Sequence, residues 1–390
     1  MLFSLFTSLL PAPTTLIPRS GADFYRLCQF AFLSTPLLVP LVHIVHAPHG
    51  RFSFPSRWNV NGNIGWFIME VVSPITFLLS LVSPVLTSSA GLKDLIQPDF
   101  NKLTRLPAAN AILATAFVVH YIQRAILHPL RSARRSPMHI SVPLCAVLFN
   151  LINGFLMGSW IGGRSPVIDV PADALDATVS NPLDLLRSKI PARIISPGLA
   201  STPSGESTLN WIFALGMVGW AVGFAGNVYH DEVLLDLRRP KSKRLTSAMR
   251  ADADSDDEGG SRKGKERQRE KQGEKEGKPR YGIPKGGLFR FVSFPNYLCE
   301  WFEWASYAVA ALSITTLSPT HPHTLPLTPA ARLVLCLTTP PALFLLAEFC
   351  PMFPRALTGH QWYHERFGVD GDGKGGRYPR DRKAVIPFLI

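Results

Sequence analysis

The stretch Tyr281–Tyr307, YGIPKGGLFRFVSFPNYLCEWFEWASY, decides the fold class of this chain. A turn rich in proline and glycine leads into an apolar, aromatic segment with the character of a helix that enters a membrane. This segment carries Asn296, Glu300 and Glu303. Carboxylates at membrane depth are costly and usually face a protein interior or a water-filled cavity. The stretch therefore predicts a membrane helix that borders a polar pocket.

The composition extends this prediction to the whole chain. Of its 390 residues, 46% are hydrophobic and only 17% are charged, whereas soluble domains have about 25% charged residues. The net charge of +12 is carried largely by loops that flank hydrophobic segments, which favours a role in membrane orientation over nucleic-acid binding. The 5 cysteines show no CxxC or metal-ligand spacing, so we expect neither a disulfide framework nor a metal site.

Seven segments have the length and hydrophobicity of membrane spans. Each is close to the roughly 20 residues that a helix needs to cross the hydrocarbon core. Prolines inside several of them favour a packed bundle, because neighbouring helices can satisfy the freed backbone groups. We predict an all-α integral membrane protein, a seven-transmembrane helix bundle. The predicted spans are 24–46, 64–86, 107–127, 139–163, 207–226, 294–318 and 330–350.

The distribution of lysine and arginine predicts the orientation of the bundle. The first, third and fifth loops and the C-terminal tail are basic, whereas the sixth loop has no lysine or arginine. The positive-inside rule then places the N-terminus outside and the C-terminus in the cytosol. The second loop, with Lys93, Lys102 and Arg105, is the exception.

This orientation brings the polar residues of the spans into one leaflet. Glu70 lies about six residues, or about 9 Å, from the cytosolic end of its helix, and Tyr121 lies at a similar depth. Asn227, Asn296 and Glu300 fall in the same cytosolic half. Random placement would scatter such residues over both leaflets, whereas a site open to the cytosol would gather them. We therefore expect a cytosol-facing cavity.

Each of these patterns also has a structural explanation. Glu70 could be an interfacial carboxylate, and His120-Tyr121-x-x-Arg124 an aromatic belt with a basic anchor. The spacing of Asn227, Asp231 and Arg238 suits an exposed charged helix face equally well. Close packing of helices explains the small residues of the fourth span better than a functional role does. These residues are Asn153, Gly154 and Gly158.

The chain divides into four predicted regions. Residues 1–23 form an N-terminal segment, interpreted as interfacial or loosely ordered rather than as a cleaved signal peptide. Residues 24–238 hold the first five spans, and residues 281–390 hold the last two spans and a cytosolic tail. The intervening segment, 239–280, is rich in lysine, glutamate, aspartate and glycine. Because such a composition cannot bury a core, we expect it to be a disordered cytosolic insert.

The combined motifs resemble the steroid 5α-reductase family. The resemblance is strong from Gly216 to Tyr307 and from Arg355 to the end, and weaker from Gly65 to Gly158. It implies a seven-helix enzyme of the endoplasmic reticulum membrane that uses NADPH to reduce the C4–C5 double bond of 3-oxo-Δ4 steroids. The matching elements are Asn227-x-x-x-Asp231, Leu237-Arg238-x-Pro240, YGIPKGGLFRFVSFPNYLCEWFEWASYA from Tyr281, Trp362-Tyr363 and the closing RYPRDRKAVIPF.

The resemblance also implies roles for individual residues. Glu70 and Tyr121 match the catalytic pair that hydrogen-bonds the C3 carbonyl of the substrate, with Trp304 near the substrate. Tyr281 matches a position near the nicotinamide. Arg124 and Arg135 are candidates for binding the cofactor phosphates. Residues that match the lining of the cofactor cavity are Asn227, Asp231, Arg238, Asn296, Glu300 and Tyr363.

These residue types suit the implied chemistry. Hydride addition at C5 of the enone moves negative charge to the carbonyl oxygen, where a tyrosine hydroxyl positioned by a carboxylate can stabilise it. Arginines suit the phosphates through bidentate contacts. Met69, Gly282 and the run Thr358-Gly359-His360 depart from the family pattern, which bears on substrate fit more than on cofactor use.

Two other functions remain open from the sequence. One is reduction of an enoyl-CoA or a polyprenol by a related enzyme. The other is a membrane methyltransferase of the isoprenylcysteine type, although Phe294-Pro295-Asn296-Tyr297 and the tail around Glu365 fit that family poorly. The expected partners are a steroid or sterol-like lipid and membrane lipids, without nucleic acid. The oligomeric state does not follow from the sequence.

Overall fold

The computed structural model describes residues 17–45, 47–86, 91–132, 135–165, 192–195, 210–250, 282–314, 316–319, 337–368 and 378–390. These residues are mostly helical. The α-helices are α1 (Gly21–Leu33), α2 (Val39–Ile44), α3 (Gly62–Leu81), α4 (Ala108–Tyr121), α5 (His128–Arg131), α6 (Ser141–Ile161), α7 (Trp211–Asp236), α8 (Pro295–Ser313) and α9 (Pro340–Phe367).

Shorter elements connect the helices. A π-helical segment, Ile122–Leu127, joins α4 to α5. Strands β1 (Asn59–Val60) and β2 (Met138–His139) pair antiparallel, with Asn59 opposite His139. Strands β3 (Ala192–Ile195) and β4 (Thr316–Pro319) also pair antiparallel, with Ala192 opposite Pro319. The 3₁₀ segments are Thr35–Leu38, Gly50–Phe52, Leu92–Asp94, Phe100–Arg105, Lys241–Lys243 and Gly287–Arg290.

Within the described residues, four helical runs are long and apolar enough to cross a membrane. They are α3, the continuous run Ala108–Arg131, α6 and α7. The pair Gly21–Leu33 and Thr35–Ile44, bent by 42°, would add a fifth. The chain is thus an all-α membrane protein. The predicted span 294–318 falls largely on α8, and α9 covers residues 340–350 of the predicted span 330–350. Neither helix is among the runs that are long and apolar enough to cross a membrane, so seven spans remain a prediction.

Two predicted helix ends differ from the structure. The fifth helix continues to Asp236 instead of ending near residue 226, and it thereby includes Asp231. The last helix begins at Pro340 and continues to Phe367 through Pro351 and Pro354. Prolines are tolerated inside membrane helices when neighbouring groups satisfy the freed backbone groups.

Glycines bring two helix pairs into backbone contact. A Cβ atom added to Gly154 of α6 would lie 2.4 Å from the carbonyl oxygen of Ser73 in α3. A Cβ atom added to Gly158 would lie 2.3 Å from the carbonyl oxygen of Phe77 in the same helix. On α7, a Cβ at Gly223 would lie 2.6 Å from the backbone nitrogen of Glu303 in α8. Small residues permit such close approach in membrane bundles. The interpretation of Gly154 and Gly158 as packing residues is confirmed.

The turn and the C-terminal tail hold each other. Gly286 and Gly287 have φ angles of +93° and +51°, which glycine adopts without the steric cost of a Cβ. After the turn, the backbone nitrogens of Ser293 and Phe294 donate to the carbonyl oxygens of Lys383 (2.8 Å) and Ala384 (3.0 Å). The two C-terminal motifs of the sequence are therefore joined by backbone hydrogen bonds just before α8 begins.

The predicted disordered insert differs from the structure at its start. Residues 241–250 are packed against the end of α7, where the Asp236 carboxylate accepts hydrogen bonds from the backbone nitrogen (2.7 Å) and hydroxyl (2.7 Å) of Thr246. Met249 is buried beside α7. Asp236 thus ties the start of the insert to α7 by hydrogen bonds. Residues 251–280 lie outside the described part of the chain.

We expect Gly158→Val to destabilise the protein by about 1–3 kcal/mol, as overpacking in a filled interior typically does. The added side chain would force α6 away from the Phe77 carbonyl of α3. Thermal unfolding of the detergent-solubilised protein measures the effect. Leu151→Val, on the exposed face of the same helix, is the control and should change the melting temperature little. Equal melting temperatures for the two variants would contradict the packing role of Gly158.

Candidate active site

A cavity of about 560 Å³ lies among α3, α4, α6, α8 and α9 and the Thr35–Phe52 region. Most of its lining is apolar, but one group of titratable and amide side chains reaches it from these five helices and the π segment. The cavity is large enough and apolar enough for a lipid-like ligand of a few fused rings. Its polar lining in this region is Glu70, His120, Tyr121, Arg124, Asn150, Glu300 and Glu348.

Arg124 lies at the centre of the polar group. It is in the π-helical segment that directly follows Tyr121, and such segments often occur at functional sites. Its guanidinium lies 3.5 Å from Glu70, 3.6 Å from Glu300 and 3.9 Å from Asp231. The depth argument from the sequence predicted that residues of different spans would meet, and the structure brings these together around one cation.

The Tyr121 hydroxyl is held by two asparagines of α6. Asn153 donates to it over 2.7 Å, and the hydroxyl donates to the Asn150 side-chain oxygen over 3.3 Å. The Asn150 amide in turn donates to the Met69 carbonyl over 2.6 Å. The expectation from the family resemblance was a hydroxyl positioned by Glu70. In the structure Glu70 lines the same cavity but forms its ion pair with Arg124.

A buried His–Glu pair lies beside Tyr121. The Nδ1 atom of His120 is 2.7 Å from the Glu303 carboxylate, and its Nε2 atom is 3.9 Å from Glu300. Glu303 is completely buried. The Trp304 ring packs on His120 with a centroid distance of 4.7 Å. Trp304, expected near the substrate, therefore lies behind a cavity-lining histidine and is not itself part of the lining.

The expected cofactor residues of α7 and α8 form one hydrogen-bonded network. The Asn227 amide donates to the Asn296 carbonyl (3.0 Å) and to Glu300 (3.2 Å). The Asn296 amide donates to Asp231 over 3.0 Å. Asp231 then approaches Arg124. Glu300 and Arg124 also line the cavity, so they form the wall between the cavity and this network.

A cationic region lies next to the network, outside the cavity. The Arg135 guanidinium lies 4.1 Å from the Trp66 ring centroid and donates to His128 over 2.7 Å. Burial lowers the pKa of Arg135 to about 10, and the charge of nearby Arg238 adds to this effect. The Nε atom of Arg135 is buried and has no hydrogen-bond partner among the described residues. These guanidiniums with an unused donor fit an anionic group such as a phosphate.

Of the expected cofactor residues, Tyr363 belongs neither to the cavity lining nor to this network. Tyr363 is buried in an aromatic cluster, where it stacks on Tyr378 at 5.3 Å and lies 6.2 Å from Phe294. This cluster holds the C-terminal tail against the start of α8. Tyr281 lies outside the described residues.

The sequence argument missed three polar residues of the site. Asn150 and Asn153 are three residues apart on α6 and therefore share a helix face, which was the available signal for their role. Glu348 of α9 lines the cavity, and its Oε2 atom is buried without a hydrogen-bond partner among the described residues. An acidic residue in an apolar segment is a functional candidate, but Glu348 lay at the edge of the predicted span.

Comparison with known proteins agrees with the family resemblance. A family model described as 3-oxo-5-alpha-steroid 4-dehydrogenase matches residues 265–332 and 333–390. The uncharacterized protein C9.08c of Schizosaccharomyces pombe is 32% identical over 95% of this chain and 99% of its own length. The 3-oxo-5-alpha-steroid 4-dehydrogenase 1 of Bos taurus is 26% identical over 95% and 99%, respectively. The steroid 5-alpha-reductase DET2 of Gossypium hirsutum is 25% identical over 94% and 96%.

We expect Glu303→Met to destabilise the protein by about 3–5 kcal/mol, because it leaves the buried His120 without its acceptor. The double variant His120→Leu/Glu303→Met removes both partners and should regain much of this loss. Thermal unfolding of the wild type, the two single variants Glu303→Met and His120→Leu, and the double variant measures the coupling. A double variant that loses as much stability as the two single changes added together would show that the two residues do not act as a pair.

Proposed function

Because the chain belongs to the 3-oxo-5-alpha-steroid 4-dehydrogenase family, and is thus an oxidoreductase acting on a CH–CH group, we propose that it reduces the C4–C5 double bond of a 3-oxo-Δ4 steroid or sterol intermediate with NADPH. The observation that carries the proposal is the apolar cavity with Tyr121 and Glu70 in its polar lining. The cavity suits a fused-ring skeleton, and its polar end suits the enone carbonyl.

Tyr121 polarises the C3 carbonyl in this proposal. Its hydroxyl is oriented by Asn153 and Asn150, and it can turn from the Asn150 acceptor to the carbonyl oxygen when the substrate binds. As C5 gains a hydride, negative charge develops on that oxygen. A donor already in place stabilises the enolate without reorganisation, and such a donor is worth about 2.7–4 kcal/mol. Glu70, in the same cavity lining, assists Tyr121 in polarising the C3 carbonyl.

NADPH, when bound, supplies the hydride that is added at C5. We assign its phosphates to Arg135 and Arg238, with Arg124 at the edge of the cavity. The remaining proposed contacts come from the network on the far side of the wall. These residues are Asn227, Asp231, Asn296 and Glu300, with Tyr281 and Tyr363 carried over from the family pattern. The orphaned Nε donor of Arg135 supports the assignment of an anion to this region.

The cavity walls protect the reaction from water. Apolar residues of α2 and α6, among them Val39, Val42, Val142 and Phe149, line it. Exclusion of water strengthens the electrostatic effect of Tyr121 on the developing charge. A proton delivered to C4 completes the reduction, so that the two carbons of the double bond gain one hydride and one proton.

The orientation of the protein is part of the proposal. We infer seven spans, with α8 and α9 as the last two, in the endoplasmic reticulum membrane. The N-terminus then lies outside the cytosol and the C-terminus inside it. In this orientation the cationic region of Arg135 opens to the cytosol, where NADPH is dissolved. The basic first and third loops and the basic tail support it.

An activity assay separates the proposed function from its alternatives. Detergent-solubilised protein is incubated with NADPH and a 3-oxo-Δ4 steroid, and formation of the 5α-reduced product is measured. Turnover of an enoyl-CoA or polyprenol instead would identify a related lipid reductase. Binding of S-adenosylmethionine together with no turnover of any enone would identify a methyltransferase and overturn the proposal.

We expect Tyr121→Phe to lower kcat by a factor of about 10²–10³, which is the effect of removing one preorganised hydrogen-bond donor. The affinity for NADPH should change little, because the tyrosine contacts the substrate. Steady-state kinetics and NADPH titration measure the two quantities. Tyr25→Phe, a change at another buried tyrosine outside the cavity lining, is the control. Loss of NADPH binding in Tyr121→Phe would show that its role is misassigned.

We expect Arg135→Gln to weaken NADPH binding by about tenfold or more, since hydrogen bonds to charged groups contribute about 1.5–3 kcal/mol. The KM for the steroid should remain near the wild-type value, because Arg135 is not in the cavity lining. Arg105→Gln, at an exposed arginine of the second loop, is the control. An unchanged NADPH affinity in Arg135→Gln would remove this residue from the cofactor site.

A further inference from the structure

The cavity has a second polar end, formed by Arg355 and His49. Both residues line it together with Thr358 and Ser141. The Arg355 guanidinium lies 2.8 Å from the Nδ1 atom of His49 and 5.8 Å from the Phe52 ring centroid. Within the described residues no carboxylate forms an ion pair with Arg355. Arg355 is thus a cation at the border of an apolar cavity for which the described part of the chain supplies no carboxylate partner.

His49 positions the guanidinium but does not neutralise it. Burial and the nearby charges of Arg355 and Arg135 lower the pKa of His49 to about 3. The imidazole is therefore neutral, and its Nδ1 atom accepts a hydrogen bond from Arg355. The loop that carries His49 is itself anchored, because the Pro48 carbonyl accepts from the backbone nitrogen of His139 over 3.2 Å. Arg355 is held in place by one of its N–H groups, and its other N–H groups can donate to a ligand.

The two polar ends lie two helical turns apart. Glu348 and Arg355 are seven residues apart on α9, so they share a helix face and are separated by about 10.5 Å along its axis. Glu348 interacts electrostatically with Glu300, Arg124 and Glu70, which places it at the end of the cavity that holds Tyr121. This spacing is comparable to the long axis of a fused four-ring skeleton.

The wall between the ends is apolar. Leu38, Val39, Val42, Val142 and Met352 line the cavity along with the two polar ends. A rigid hydrocarbon skeleton can bury its apolar surface against these side chains, which favours binding. Polar groups at both ends then fix its orientation, which is the usual division of roles in small-molecule sites.

We propose that Arg355 determines substrate specificity by donating hydrogen bonds to an acceptor oxygen at the end of the substrate opposite the enone carbonyl. The inference rests on the proposed function, since it places the enone at Tyr121. It names the substrate class as 3-oxo-Δ4 steroids whose C17 substituent carries a carbonyl or carboxylate oxygen, in preference to those with a hydrocarbon side chain. Arginine suits this role because its planar donor fork pairs with such oxygens.

Two ligands that differ in one group test the proposal. Progesterone carries a C20 carbonyl, whereas pregn-4-en-3-one has a methylene group in its place. Equilibrium binding of each to the full-length, detergent-solubilised protein is measured with NADP⁺ present, by quenching of tryptophan fluorescence. Arg355→Gln should weaken progesterone binding by about tenfold or more, as expected for a lost charge-assisted hydrogen bond. Binding of pregn-4-en-3-one should change little.

Matched variants separate anchoring from a general structural effect. Arg355→Lys keeps the charge but not the donor fork, so it should show a smaller loss that is again confined to progesterone. His49→Gln, which releases the guanidinium, should act in the same direction. If Arg355→Gln does not fold, these two variants provide the measurement. Arg105→Gln, at an exposed arginine remote from the cavity lining, is the control.

Several outcomes would overturn the proposal. If Arg355→Gln weakens the binding of both steroids equally, Arg355 is a purely structural residue. If the affinity for both steroids is unchanged, Arg355 does not contact the ligand. A loss of NADP⁺ affinity in place of progesterone affinity would assign Arg355 to the cofactor. The binding measurement does not depend on turnover. If Arg355→Gln selectively loses affinity for progesterone but the wild-type protein reduces no enone, the proposed reaction is refuted and the proposed role of Arg355 is still supported.

Discussion

The position of Arg124 inside the membrane is the constraint on which the rest of the site depends. A guanidinium at this depth is costly unless carboxylates compensate it. Glu70 of α3, Glu300 of α8 and Asp231 of α7 do so from three different helices, at 3.5, 3.6 and 3.9 Å. Displacing any of these helices would leave charges unpaired in an apolar surrounding. One cation thus fixes the relative positions of the helices that carry the proposed chemistry.

Close helix packing makes this arrangement possible. The carboxylates reach Arg124 only if α7 and α8 lie close together, and the contact of Gly223 with the Glu303 backbone provides that approach. The same holds for α3 and α6, where Gly154 and Gly158 allow Asn153 to reach Tyr121. In membranes apolar burial adds little to helix association, so such contacts and the buried polar bonds carry it. The polar site therefore depends on the glycines that bring its helices together.

The depth argument from the sequence identified the charged residues that lie within apolar segments. Glu70 and Glu300 are conspicuous because charged groups have few stable positions in a membrane, and the structure brings them to Arg124. Asn150 and Asn153 were missed since an amide inside a helix is equally explained by packing. Glu348 was missed because the start and end of the last helix depend on how Pro351 is accommodated, which the local sequence does not show.

The shared wall of Arg124 and Glu300 constrains how substrate and cofactor can be arranged. Hydride transfer requires the reacting atoms to approach to about 3–3.5 Å, so under the proposed function the cofactor and the enone would meet where the cavity and the α7–α8 network share side chains. Arg124 and Glu300 are such shared side chains. In the proposed arrangement the enone lies at the Tyr121 end, and the rest of the skeleton extends along α9. The far end of the substrate would then lie near Arg355, so the proposed position of the reaction and the proposed preference for a distal acceptor depend on the same wall.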